Sequence, residues 1–141
     1  MAYYRKWSHT KYDCRYHIVR VTKYRRTWIE GDLQELLADI IEEICNELFI
    51  NVIRIGLEKD HVHLYVSIPL SVWSIPEVIQ KLKWKSSKRL WEIEEYKKYF
   101  KRYYRKPWIW KRAVWYFICT VWEVNDKLVR EYIENQWKNV P

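Results

Sequence analysis

Apolar and polar residues alternate most regularly between positions 61 and 68, where Val62, Leu64, Val66 and Ile68 stand between His61, His63, Tyr65 and Ser67. This period of two is the signature of a half-buried strand. Looser alternation predicts further strands over 12 to 22, 49 to 58 and 113 to 123. Elsewhere the period changes. Leu33, Leu36, Leu37, Ile40, Ile41, Ile44 and Leu48 follow helical spacing, with Asp32 as N-cap and Glu35 as first-turn acid, so an amphipathic helix is expected over 33 to 48. Ser74 and Glu77 form a capping box for a second helix reaching about Trp91, its lysines on the exposed side. Leu128, Val129, Tyr132, Ile133, Gln136 and Trp137 recur behind Asn125, a good N-cap, and predict a last helix ending at Lys138. Residues 23 to 31 read as a basic loop, Lys59-Asp60 as the link between two strands, and 92 to 112 as a helical turn followed by a loop.

The order βαββαβ plus a C-terminal helix is that of an α+β, ferredoxin-like split βαβ fold with an antiparallel sheet. At 141 residues and 49% hydrophobic, the chain suffices for one domain with a real core and is short for two, so a single domain over 1 to 141 is expected. Cys14, Cys45 and Cys119 are an odd number without close spacing. That argues against a disulfide framework or a zinc knuckle and for buried packing residues in a reducing cytosol. No hydrophobic signal core opens the chain, and the longest uncharged run, His61 to Pro76, is too short and polar to span a bilayer. A soluble, cytoplasmic protein with no membrane partner is expected.

Charge is segregated. Residues 81 to 112 hold thirteen Lys or Arg against Glu92, Glu94 and Glu95, a net of +10, which leaves −2 on the rest of the chain. Residues 1 to 30 carry eight bases against two acids, whereas 31 to 60 carry eight acids against two bases. One face is thus expected to meet a polyanion and the opposite face water. Tyr96, Tyr99, Phe100, Tyr103, Tyr104, Trp108 and Trp110 interleave with the cations. Rings for base stacking beside cations for phosphate are what single-stranded or hairpin nucleic acid requires. No Gly-rich phosphate loop or dinucleotide fingerprint is present, so strand breakage here would proceed without nucleotide hydrolysis.

Candidate chemistry centres on His61 and His63, which leave one face of their strand close enough to bind one divalent ion if a third ligand arrives from elsewhere. The last helix places Tyr132 and Gln136 one turn apart on one face. The ordinary alternatives are surface histidines and a core tyrosine with its hydroxyl at the rim. The chemical alternative is sharper. A phenol, with a pKa near about 10, becomes a useful nucleophile at neutral pH when its target is polarised or its proton taken. A metal held by two imidazoles and an amide oxygen keeps positions open to polarise a phosphodiester beside that tyrosine.

These residues resemble those of the HUH single-tyrosine transposases of the insertion sequence 200/605 family, with their repeat-associated (REP) relatives. The matching blocks span most of the chain: Tyr16-His17-Ile18-Val19, Lys23-Tyr24-Arg25-Arg26, Asp60-His61-Val62-His63-Leu64, Val66-Ser67-Ile68-Pro69, Leu82-Lys83 with Ser86-Ser87, Tyr116-Phe117, and Tyr132-Ile133-Glu134-Asn135-Gln136. The resemblance implies the HUH endonuclease type of fold. It also implies a divalent metal, Mg²⁺ or Mn²⁺, on His61, His63 and Gln136, and Tyr132 as the nucleophile forming a covalent 5′-phosphotyrosine. It implies a homodimer acting on hairpin-bearing ends of single-stranded DNA, the histidines of one subunit facing the tyrosine helix of the other, nucleoid-associated when bound. Lys23, Arg25, Arg26, Lys83, Lys85, Ser86, Ser87, Lys88 and Arg89 are the candidate DNA contacts. Trp84 and Trp122 stand where the family tends to glycine, which bears on how the DNA is gripped. Two other readings stay open: a domesticated or repeat-associated HUH nuclease, and a non-catalytic hairpin-binding protein with structural histidines.

Overall fold

The computed structural model describes residues 5–7, 10–69, 73–103, 116–121 and 126–138. In chain order the elements are β1 (Arg5–Trp7), β2 (Thr10–Tyr12), β3 (Arg15–Val21), a 3₁₀ turn (Lys23–Arg25), α1 (Asp32–Glu47), β4 (Asn51–Leu57), β5 (His61–Ser67), α2 (Ile75–Trp91), α3 (Glu94–Tyr103), β6 (Tyr116–Val121) and α4 (Asp126–Lys138). β1 and β2 form a small antiparallel hairpin of their own. The other four strands make one sheet in the order β4-β5-β3-β6, with every neighbouring pair antiparallel. Two interleaved βαβ units with their strands in this order are the ferredoxin-like arrangement that the element order predicts.

The two faces of the sheet carry different chemistry. On one face Ile18, Val62, Leu64 and Val66 join the buried residues of α1 and α2, among them Leu37, Ile41, Ile44, Ile79, Leu82 and Leu90, in the main core. Each of the larger side chains among these contributes about 1.5–3 kcal/mol by leaving water. On the other face Tyr65, Val121 and Ile133 form a second, smaller core beneath α4. β5 is therefore buried on both sides except at His61, not half-buried as its alternation suggests. It is an inner strand of the sheet, with α4 covering the face that carries its polar residues.

Two features seat α4. Gly56 lies opposite His63 in the β4–β5 ladder, and a Cβ built there would come 2.6 Å from Ile133 Cγ2, so the missing side chain is the space Ile133 fills. Arg54 Nε donates to Glu134 Oε1 at 3.0 Å across the same contact. A register shift between Val52 and Arg54 leaves Ile53 as the extra residue, and Ile53 packs on the smaller core.

Several local expectations need correction. Gly31, at φ 60°, occupies the N-cap of α1 without a side-chain cap, and Asp32 lies inside the first turn with Glu35, where both carboxylates meet the positive end of the helix. The capping box of Ser74 and Glu77 forms as expected. Residues 94–103 make a full helix, not a single turn, because Phe100 is buried against Trp28 at 5.0 Å between ring centroids. Phe100 is thus a core residue, not a base-stacking ring. Of the cysteines, only Cys45 is fully buried, its thiol pushed up to about 12 by burial and by the charge of Glu42; Cys14 and Cys119 are half-buried, and none of the three is in a disulfide. No helix of the described residues is long and apolar enough to cross a membrane. Trp122, Asn125, Tyr104, Trp108 and Trp110 lie outside the described residues.

Candidate active site

Strand pairing assembles the site. His17 sits opposite Tyr65, and Val19 opposite His63, so His17, His61, His63 and Tyr65 all leave the face that α4 covers. His61 and His63 stand 4.9 Å apart between ring centroids, near-perpendicular. Tyr132, at the middle of α4, packs edge-on against His63 at 5.6 Å and against His17 at 6.2 Å. Burial separates the roles. His63 is 3% exposed and His17 8%, whereas Tyr132 is 49% exposed, so an exposed tyrosine packs against two buried imidazoles.

Both histidines of the motif are held at Nδ1. Asp60 Oδ1 lies 2.6 Å from His61 Nδ1, and His17 Nε2 lies 3.2 Å from His63 Nδ1. The other oxygen of Asp60 accepts from Arg25 Nε at 3.2 Å. Burial pushes the Asp60 carboxyl up, but its hydrogen bonds and charge interactions with His61 and Arg25 outweigh that and hold it below its ordinary range. Burial alone holds His17 below the usual imidazole range, so at neutral pH it is an uncharged ring with one donor and one acceptor nitrogen. Sequence reasoning named the block containing His17 but gave it no role. Its alternation with Tyr16 and Ile18 places it on one face of a strand, but only the register of β3 against β5 brings it to His63.

The remaining polar group on this face is structural. Arg15, 2% exposed, holds Asp13 through Nε and Nη2 at 2.7 and 2.8 Å and donates from Nη1 to the Tyr65 hydroxyl at 2.8 Å. Tyr65 is completely buried, and the Arg130 guanidinium of α4 lies 5.9 Å from its ring centroid. Among the described tyrosines on this face, Tyr132 is the exposed one.

The expected DNA contacts divide. Lys23, Arg25 and Arg26 lie on and after the 3₁₀ turn that follows β3, at the end of the sheet where Asp60 and His61 sit; Arg25 and Arg26 are exposed, and Lys23 stacks its ammonium on Tyr24 at 5.4 Å. The α2 candidates are on the opposite face of the sheet from the histidines. Lys85 pairs with Glu47 at 3.2 Å, and Arg89 pairs with Glu43 at 3.2 Å and with Glu47, so two of these cations are bound to acids of α1. Lys88 is exposed, its ammonium 5.2 Å from the ring of Trp84, which is itself half exposed; Lys83 is half-buried. Ser86 and Ser87 are buried, 2% and 1% exposed, and the Ser86 hydroxyl donates to Leu82 O. This corrects their expected place on a DNA surface: Ser86 shares the inward helical face of Ile79, Leu82 and Leu90. Gln136 falls on α4 one turn beyond Tyr132, and its side chain is outside the described residues.

Comparison with known proteins gives the family and supports the fold. The family described as "Transposase IS200 like" matches residues 10–136. The transposase for insertion sequence element IS200 of Salmonella typhimurium is 32% identical over 129 residues, covering 92% of this chain and 80% of that protein. The ISDra2 transposase TnpA of Deinococcus radiodurans is 30% identical over 129 residues, covering 89% and 85%. A crystal structure of a provisionally assigned transposase from Deinococcus radiodurans superposes with a TM-score of 0.72 at 25% identity, over 94% of this chain and 97% of that one. A REP-associated tyrosine transposase bound to a REP hairpin superposes with a TM-score of 0.56 at 13% identity, over 95% and 69%, a likeness of fold. With the match running from β2 into α4, and so through both histidines and Tyr132, the chain belongs to the IS200-like transposase family.

Proposed function

We propose that this transposase cleaves and rejoins single-stranded DNA at hairpin-bearing element ends, with Tyr132 as nucleophile and one divalent ion, Mg²⁺ or Mn²⁺, held by His61, His63 and Gln136. The observation that carries the reading is the exposed Tyr132 phenol packed over the buried imidazole of His63. Two imidazoles on one strand face together with the amide of Gln136 would make a mixed nitrogen and oxygen donor set that suits Mn²⁺ and, with waters, Mg²⁺. Gln136, one turn beyond Tyr132 on α4, is the third ligand that the family resemblance implies. When bound there, the ion would neutralise charge on the scissile phosphate and polarise it as a Lewis acid.

The chain's own residues do the rest. The Tyr132 oxygen attacks phosphorus, the bond from phosphorus to the 3′ oxygen breaks, and that oxygen leaves as a 3′ hydroxyl after taking up a proton while the phenol gives one up. The phosphodiester count is conserved, because the tyrosyl ester to the 5′ carbon replaces the bond broken, and attack by another 3′ hydroxyl restores the phenol. The seat of α4 on β4 and β5, through Ile133 over Gly56 and Glu134 with Arg54, supplies the positioning on which phosphoryl transfer depends. Within one chain α4 rests over its own histidines; in a homodimer, exchange of α4 between subunits would remake the same contacts on the same receiving residues.

Cleavage of a labelled single-stranded hairpin substrate tests the metal part. Activity is expected with Mg²⁺ or Mn²⁺ and not with EDTA, and His63→Ala should abolish it while hairpin binding persists. Undiminished cleavage in EDTA would remove the metal from the reaction.

A further inference from the structure

Asp60 and His17 share one property: each occupies the Nδ1 side of a motif histidine, from a different element and with a different chemical group. An ionised carboxylate only accepts, so the contact with Asp60 puts the His61 proton on Nδ1. If the His63 proton is likewise on Nδ1, it donates to His17 Nε2, and both rings carry their lone pair on Nε2. We propose that Asp60 and His17 are positioning residues: by accepting the Nδ1–H of His61 and of His63 they set both imidazoles in the tautomer that directs Nε2 to a single divalent ion. The inference rests on the metal reading above and adds to it two residues that are not ligands.

Each positioning residue is itself fixed. Arg25 engages the second oxygen of Asp60, leaving Oδ1 aimed at His61, and the Thr22 backbone N–H donates to Asp60 O at 2.8 Å, tying the turn to the end of β3. His17 is stacked on His63 at 5.4 Å between centroids, with Phe117 edge-on at 6.5 Å and Tyr132 at 6.2 Å. The ladder of β3 against β5 sets the diagonal offset that brings the ring of His17 to His63. A strand that supplies no ligand thereby controls the orientation of one, as partners of ligating histidines commonly do.

Mn²⁺ titration calorimetry on the full chain provides the test, comparing wild type with His17→Phe, His17→Gln, Asp60→Ala, Asp60→Asn and His63→Ala. ¹⁵N NMR of the imidazole nitrogens in the metal-free protein accompanies it. Removing either acceptor, in His17→Phe or Asp60→Ala, is expected to weaken Mn²⁺ by about 10–100-fold. His17→Gln and Asp60→Asn, whose amide oxygens accept the same hydrogen, should recover most of that loss. The NMR should show His63 protonated at Nδ1 in wild type and a mixture of tautomers in His17→Phe. If His63→Ala loses Mn²⁺ but His17→Phe and Asp60→Ala bind it like wild type, or the Gln and Asn variants are as weak as Phe and Ala, the positioning role is wrong while the metal site stands. If wild type binds no Mn²⁺, or His63→Ala binds it equally well, the metal reading fails and the inference with it.

Discussion

Gly56→Ala adds one methyl group where the structure has no room for it. The new carbon would sit 2.6 Å from Ile133 Cγ2 and 3.4 Å from Ile133 O. Ordinary carbon contacts lie at about 3.5–4.0 Å, so the first distance is short by about 1 Å. The approach to Ile133 O is an ordinary contact, so the clash lies with Cγ2 alone, and Ile133, a β-branched side chain 1% exposed, has little room to rotate away from it. α4 must lift, at about 1–3 kcal/mol, the usual cost of overpacking. The helix carries Tyr132 one residue away, and a displacement of about 1 Å at a reacting group can cost about 100-fold in rate. Urea unfolding should therefore show a lower midpoint with an unchanged slope, and single-turnover cleavage should fall by one to two orders of magnitude. A double-mutant cycle isolates the cause. Ile133→Ala alone opens a cavity costing about 2–5 kcal/mol, but it also removes the clashing methyl, so with Gly56→Ala the loss should be smaller than the sum by about 0.5–3 kcal/mol. Strict additivity, or a Gly56→Ala protein as stable and active as wild type, would refute the idea that this notch sets the height of α4.

Other expectations follow from neighbouring contacts. Tyr65→Phe deletes the hydroxyl that accepts from the buried Arg15 guanidinium at 2.8 Å and should cost about 1.5–3 kcal/mol in urea unfolding while the covalent DNA adduct still forms; loss of the adduct in a stably folded protein would contradict the structural role of Tyr65. Reversing the charges of Arg25 and Arg26, the exposed pair at the histidine end of the sheet, should weaken single-stranded DNA binding and shrink its logarithmic salt slope by about 1.4, two phosphates at about 0.7 each. The same reversal at Lys85 and Arg89, on the helix that packs on the opposite face of the sheet from the histidines, should shrink it less; equal effects would show that this face meets the DNA as well.

The elements that sequence made legible are those whose signal is local. Alternation around His61 and His63 gives β5, the spacing from Leu33 to Leu48 gives α1, and Ser74 with Glu77 gives the start of α2, because period and capping depend on adjacent residues alone. The order of these elements then restricts the sheet to few topologies, and the observed one is among them. What sequence hid is set by tertiary contact. The helix over 94–103 is masked by cations and declares itself only through Phe100 meeting Trp28, far earlier in the chain. Ser86 and Ser87 read as polar surface residues, yet the packing of α2 on the sheet turns them inward. His17 reaches His63 only through strand register, and Gly56 gains its meaning only from Ile133 on the far side of the chain. The histidine pair and Tyr132 stand out in the sequence as candidate chemistry, while the contact of His17 with His63 does not.

Tyr132→Phe tests the central claim most directly. The substitution keeps the ring and its edge contacts with His63 and His17, and removes only the oxygen that would bond to phosphorus. Wild-type protein incubated with Mn²⁺ and 5′- or 3′-labelled hairpin DNA should yield one adduct that survives denaturing electrophoresis and maps by mass spectrometry to the peptide containing Tyr132. The variant should fold and bind the hairpin as wild type does and yield none. An adduct formed by Tyr132→Phe, or one mapped in wild type to Tyr103, Tyr104 or Tyr116, would contradict the assignment of the nucleophile.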